Sequence, residues 1–170
     1  MLSEADQALV AVIEGMGLTH EQLNKLGNTP GWTHLGIAAP LARPHLYITI
    51  LLSREKEPRD LYTQILTLTP RISTLVGALC VMEFDPHSHV HILCDRPPGL
   101  RKSNLIRSIT RALQLPRAEF CDIIMSNKAI DYHNRLQYTL GNKSDDSKAT
   151  RVLADRQIRE EHEIPHHFTL

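Results

Sequence analysis

Between Glu83 and Cys94 the chain reads Glu-Phe-Asp-Pro-His-Ser-His-Val-His-Ile-Leu-Cys, and this segment constrains the fold more than any other. In an extended strand, side chains two residues apart share a face. His89 and His91 therefore project together, about 7 Å apart along the strand, while Val90 and Ile92 turn the other way. Such a strand needs a sheet with a core behind it and an accessible surface in front. Asp85-Pro86 signals a turn, so Ser88 to Cys94 is expected to hairpin onto a preceding buried strand over Thr74 to Phe84. Glu83 then lies across a tight turn, beside the two imidazoles.

The remaining elements follow from local pattern. His45 to Leu52 is β-branched and aromatic, as a strand requires. Arg59 to Leu68 is expected as a short helix, broken by Pro70. Lys102 to Gln114 is an amphipathic helix, with Leu105, Ile106, Ile109, Ala112 and Leu113 on one stripe. Glu119 to Met125 is a fourth strand, and Asn127 to Leu140 a helix with Gly141 as its C′ stop. Residues 3 to 26 look like two further helices, and the last residues like a weak helix before Pro165. The order β-α-β-β-α-β-α predicts an α+β chain with a ferredoxin-like split βαβ core. Its central sheet is antiparallel, with N-terminal helices and a C-terminal tyrosine-bearing helix added. The expected division is a helical lead-in over 1–44, a core over 45–145 and a polar tail over 146–170.

Charge narrows the function classes. Nineteen Lys and Arg balance nineteen Asp and Glu, so there is no overall basic field of the kind a non-specific nucleic-acid coat protein carries. The segment from Arg96 to Arg117 is nevertheless basic and acid-free. No stretch approaches the roughly 20 apolar residues of a membrane span, and the acidic start argues against a secretory signal. Cys80, Cys94 and Cys121 are odd in number and scattered. They are expected as small buried hydrophobes in an intracellular, reducing setting.

Two imidazoles and one carboxylate, Glu83, His89 and His91, make a three-point site for a divalent cation with positions left open. A cation there can polarise a phosphoryl oxygen. A lone buried histidine is ordinarily a hydrogen-bonded core residue. Desolvating alternating histidines without a partner is costly, which favours the ligand reading for the pair. His87 sits at the turn, where solvent can satisfy it.

His89-Val-His91-Ile-Leu93 resembles the motif of the HUH endonucleases, the replication initiators of rolling-circle plasmids and single-stranded DNA viruses, with relaxases and some transposases. The resemblance spans roughly residues 45 to 145. It implies a Mg²⁺ or Mn²⁺ site, with Glu83 as third ligand, and a nucleophilic tyrosine on a later helix. It implies nicking and joining of single-stranded DNA or an origin hairpin through a 5′-phosphotyrosine. It also implies phosphate contacts from Arg96, Arg101, Lys102, Arg107, Arg111 and Arg135.

The helix after the fourth strand offers Tyr132 and Tyr138. A phenol titrates near 10 and is a poor nucleophile at neutral pH unless its anion is stabilised. Tyr138 has Arg135 one turn away. Tyr132 shares a face with Ala129 and Leu136, which suggests core packing. The family pattern is Y-x-x-K, whereas Lys143 stands five residues after Tyr138. Two readings remain beside this one. His87, His89 and His91 also look like the alternating motif of histidine-triad nucleotide hydrolases, although Ser88 stands where a hydrophobic residue is expected. A non-catalytic DNA-binding module would use the same sheet and basic helix without chemistry.

Overall fold

The structure, a computed structural model, describes residues 42–142 and 149–170. The helices expected over residues 3 to 26, and Lys143, lie outside the described residues. The elements are β1 (Ala42–Leu51), α1 (Pro58–Leu66), β2 (Leu79–Glu83), β3 (His89–Asp95), α2 (Lys102–Ala112), β4 (Cys121–Lys128), α3 (Ala129–Thr139), α4 (Ala149–Glu161) and β5 (Phe168–Thr169). One sheet runs β4-β1-β3-β2-β5, and every pair in it is antiparallel. The path from β1 through α1 to β2 steps over β3, and the path from β3 through α2 to β4 steps over β1. The α+β class with a central antiparallel sheet is therefore the one expected.

Strand alternation divides the sheet into two unlike faces. Leu46, Ile48 and Ile50 of β1, Val90 and Ile92 of β3, and Ile123 of β4 pack with Leu61 and Ile65 of α1 and Leu105 and Ile109 of α2. Leu105 is 4% exposed and the other nine are fully buried. α1 and α2 thus cover this face. The opposite face carries Tyr47, Thr49, Glu83, His89, His91 and Leu93 through the cross-strand pairs Thr49↔His91 and Glu83↔His89. Part of it is covered by α3, whose Tyr132 and Leu136 pack with Leu93. A deletion on the apolar face should be costly. Ile48→Ala is expected to destabilise the fold by about 2–5 kcal/mol, seen as a lower urea midpoint, whereas Ile124→Ala, at a half-exposed position, should stay within about 0.5 kcal/mol.

The sequence reading departs from the structure in two places. The apolar run Thr74 to Phe84 is not one strand. Ser73–Leu75 forms a turn of 3₁₀ helix, Gly77 takes φ +79°, and the strand begins only at Leu79. A positive φ is open to glycine at little cost, and it splits a run that hydrophobicity alone joins. The second departure is at the end of the chain. α4 stands where a weak helix is expected, but the residues after it, read as part of a polar tail, form the edge strand β5, which pairs with β2 at Leu79↔Thr169 and Cys80↔Phe168. Phe168 meets Tyr62 of α1 edge-on at 5.0 Å, and Arg59 of α1 donates to the Glu163 carbonyl.

Candidate metal centre beside a tyrosine

β2 and β3 bring the three expected ligands together. Glu83 pairs with His89 across the hairpin, and His91 lies one pleat further along the same face. Their ligand atoms all fall within 4.8 Å of one another. His89 Nε2 is 3.4 Å from Glu83 Oε2, and His91 Nε2 is 3.9 Å from Glu83 Oε1. Glu83 is 6% exposed and His91 7%.

The donor set fits a cation because each ring is held by its other nitrogen. His89 Nδ1 lies 2.7 Å from the His87 carbonyl, which only accepts, so Nδ1 carries the proton and Nε2 is left to ligate. His91 Nδ1 lies 3.0 Å from Thr49 Oγ1. Donation to that hydroxyl likewise leaves the Nε2 lone pair on the Glu83 side. Tyr47 stacks on His91 with centroids 5.2 Å apart and planes 12° from parallel, so the imidazole is held in plane as well as at Nδ1.

Protonation opposes cation binding here. Burial disfavours a charged His89, but the Glu83 carboxylate, the His87 carbonyl and the charge of Asp155 outweigh it and hold the imidazole above its ordinary pKa. In the metal-free protein, the stabilisation from this pair is fully present below the unfolded value, near 6.5, and is lost as pH rises through the raised folded value. A cation needs the deprotonated nitrogen. Mn²⁺ affinity should therefore rise between about pH 6 and about pH 8, while the melting temperature in EDTA receives an opposite contribution from His89. Calorimetric titration and thermal melts at the two pH values check both signs.

The two tyrosines of α3 fall in different settings. α3 ends in a Schellman turn: Gly141 takes φ +87°, its N–H donates to Tyr138 O at 3.1 Å, and Asn142 N–H donates to Gln137 O at 2.9 Å. This turn places Tyr138 in the last turn of α3, its ring edge-on to His91 at 5.5 Å. Tyr138 lines a cavity of about 280 Å³ together with Glu83, His89, His91, Thr49 and Arg151. Tyr132 is 5% exposed, edge-on to His45 at 5.3 Å, with the Arg43 guanidinium 4.6 Å over its ring. Tyr47 also touches His91, but burial pushes its pKa up and keeps its phenol protonated.

The expected basic residues are not gathered at this centre. Arg101, Lys102, Arg107 and Arg111 are exposed on α2 or at its start, and α2 packs on the opposite face of the sheet. Arg96 follows β3 and is half-buried. Arg135 stacks over Tyr47 at 5.1 Å. His87 stands outside β3, its Nε2 2.8 Å from Arg54 Nη2. The three cysteines are buried and free, and burial pushes the Cys94 and Cys121 thiols up to about 12.

Sequence reasoning missed Tyr47 and Thr49, which the alternation of β1 sets on the histidine face once β1 is paired with β3. It also missed Arg151, Asp155 and Arg159 of α4, for which the sequence offers only an i, i+4 spacing in a polar stretch. No helix among the described residues is long and apolar enough to cross a membrane. No protein-family model, curated protein or solved structure matches this chain.

Proposed function

We propose that this chain is a metal-dependent nicking and joining endonuclease of the HUH type. It would act on single-stranded DNA or an origin hairpin in rolling-circle-type replication, with Mg²⁺ or Mn²⁺ held by Glu83, His89 and His91. The observation that carries the reading is the edge contact of Tyr138 on His91, in a cavity that Glu83 and His89 also line. A nucleophile of modest reactivity stands beside a group able to hold a Lewis acid.

When bound, the cation polarises the scissile phosphate and offsets the charge that develops during in-line displacement. The chain supplies the rest. Tyr138 Oη attacks phosphorus, a P–O bond to tyrosine forms, and the bond to the 3′ oxygen breaks. The products are a 5′-phosphotyrosine and a 3′ hydroxyl, and attack by that hydroxyl reverses the step. Arg151 lines the cavity, where its guanidinium would meet a phosphate oxygen of the bound strand. Thr49 and Tyr47 hold His91 in its ligating orientation. The α2 cations lie behind the sheet, so their phosphate contacts would be to flanking nucleic acid rather than to the scissile group.

His87 lines the same cavity as His89 and His91, but its Nε2 is engaged by Arg54 Nη2 at 2.8 Å, which leaves the histidine-triad alternative with less support. The test is incubation with Mn²⁺ and single-stranded oligonucleotides drawn from a randomised pool and from hairpin loops. The proposal expects cleaved DNA and a protein band of reduced mobility on a denaturing gel, both abolished by EDTA. Hydrolysis of an adenosine phosphoramidate without metal, and no adduct, would favour the triad reading. Binding without cleavage would favour the non-catalytic module.

A further inference from the structure

The outer edge of β2 is completed in an unusual way. β5 pairs with β2 only at Leu79 and Cys80, so the strand edge beyond that point needs other partners for its backbone groups. α4 supplies them from two side chains spaced i, i+4 on one helix face. Asp155 Oδ1 accepts from the Phe84 N–H at 2.7 Å and from the Asp85 N–H at 3.1 Å. Arg159 Nη1 donates to the Met82 carbonyl at 2.7 Å, and its Nε donates to His166 Nδ1 at 3.3 Å. Both are charged residues in buried positions, Asp155 2% and Arg159 5% exposed. Burying them is costly unless their hydrogen bonds are made.

The three backbone groups they bind belong to Met82, immediately before Glu83, and to Phe84 and Asp85, the two residues after it. We infer that Asp155 and Arg159 are positioning residues that set the cation affinity of the centre by fixing the backbone of Glu83 from both sides. The inference rests on the part of the proposed function that makes Glu83, His89 and His91 a cation centre. It does not rest on the nicking chemistry. The two imidazoles are already oriented, by the His87 carbonyl and by Thr49. The carboxylate has a flexible side chain on the last residue of its strand, so its placement depends on the backbone that carries it. Ligand-orienting groups of this kind typically change metal affinity 10- to 100-fold when removed.

The experiment titrates Mn²⁺ into EDTA-treated full-length protein without nucleic acid and reads free Mn²⁺ by electron paramagnetic resonance. Asp155→Ala is expected to weaken binding about 10- to 100-fold, with a cooperative melt retained in EDTA. Asp155→Asn keeps an oxygen that accepts from both amides and should stay within about threefold of wild type. Arg159→Lys keeps the charge but gives up the rigid fork that reaches Met82 O and His166 from two separate nitrogens, and it should weaken binding several-fold.

Unchanged affinity in a folded Asp155→Ala chain would overturn the inference. So would an Asp155→Asn chain as weak as Asp155→Ala, since that result assigns the effect to charge rather than to placement. If Asp155→Ala does not fold, Arg159→Lys decides alone, and unchanged affinity there overturns the role. A wild-type chain that binds no Mn²⁺ overturns both this role and the centre. Binding is read on the protein by itself, so where wild type binds Mn²⁺ and only the variants fail the expectation, nicking is left standing, and absent nicking leaves this role standing.

Discussion

Replacing Tyr138 by phenylalanine is expected to abolish the covalent protein–DNA adduct and to lower nicking by on the order of a thousandfold or more, because the change deletes the attacking oxygen. The ring itself survives. The contact with His91 is an edge-on ring contact at 5.5 Å, which phenylalanine preserves, so Mn²⁺ affinity and the melting temperature should barely move. That separation of chemistry from binding makes the variant informative. Tyr132→Phe is the counterpart. Tyr132 packs with Leu93 and Leu136 and lies under Arg43, so nicking should stay within about threefold while stability falls by about 1 kcal/mol. Single-turnover cleavage and denaturing gels measure the first effect, and urea denaturation the second. Adduct formation by Tyr138→Phe with loss in Tyr132→Phe would reverse the assignment.

Loss of the carboxylate should be equally severe for the cation. Glu83→Gln keeps the volume of the side chain and removes its charge from a site 4.8 Å across. Mn²⁺ affinity is expected to fall by at least about 100-fold, beyond what outer groups contribute. Removing one partner of a buried ion pair is ordinarily destabilising by about 3–5 kcal/mol. His89 can instead give up its proton once Glu83 is neutral, so the metal-free loss should be much smaller. A thermal-shift series separates the two effects. Mn²⁺ at 100 times its dissociation constant should stabilise wild type by about 2.7 kcal/mol and leave Glu83→Gln nearly where it stands in EDTA.

The legible parts of this molecule were those governed by short-range periodicity. The alternation of His89 to Cys94 set both the strand and the shared face of the imidazoles, and the turn at Asp85-Pro86 set the place of Glu83. Gly141 marked the end of α3 and, with it, the position of Tyr138. What escaped depends on which surfaces meet. The acid-free run of α2 reads as a basic face, but nothing local says that the sheet stands between α2 and the histidines. Tyr47 and Thr49 show their face only after β1 is paired with β3. Asp155 and Arg159 resemble solvated helix charges, since their partners are backbone groups some 70 to 80 positions earlier. The run from Thr74 to Phe84 reads as one apolar segment and is broken by the 3₁₀ turn at Ser73–Leu75 and the backbone of Gly77.

The account turns on whether one cation sits against Tyr138. Crystals grown with Mn²⁺ and measured at wavelengths on either side of the manganese edge give the most direct answer. The expected result is a single strong anomalous peak at about 2.0–2.3 Å from Glu83, His89 Nε2 and His91 Nε2, in the cavity that Tyr138 lines. No peak at these three residues under saturating Mn²⁺, or a peak only elsewhere on the protein, would contradict it.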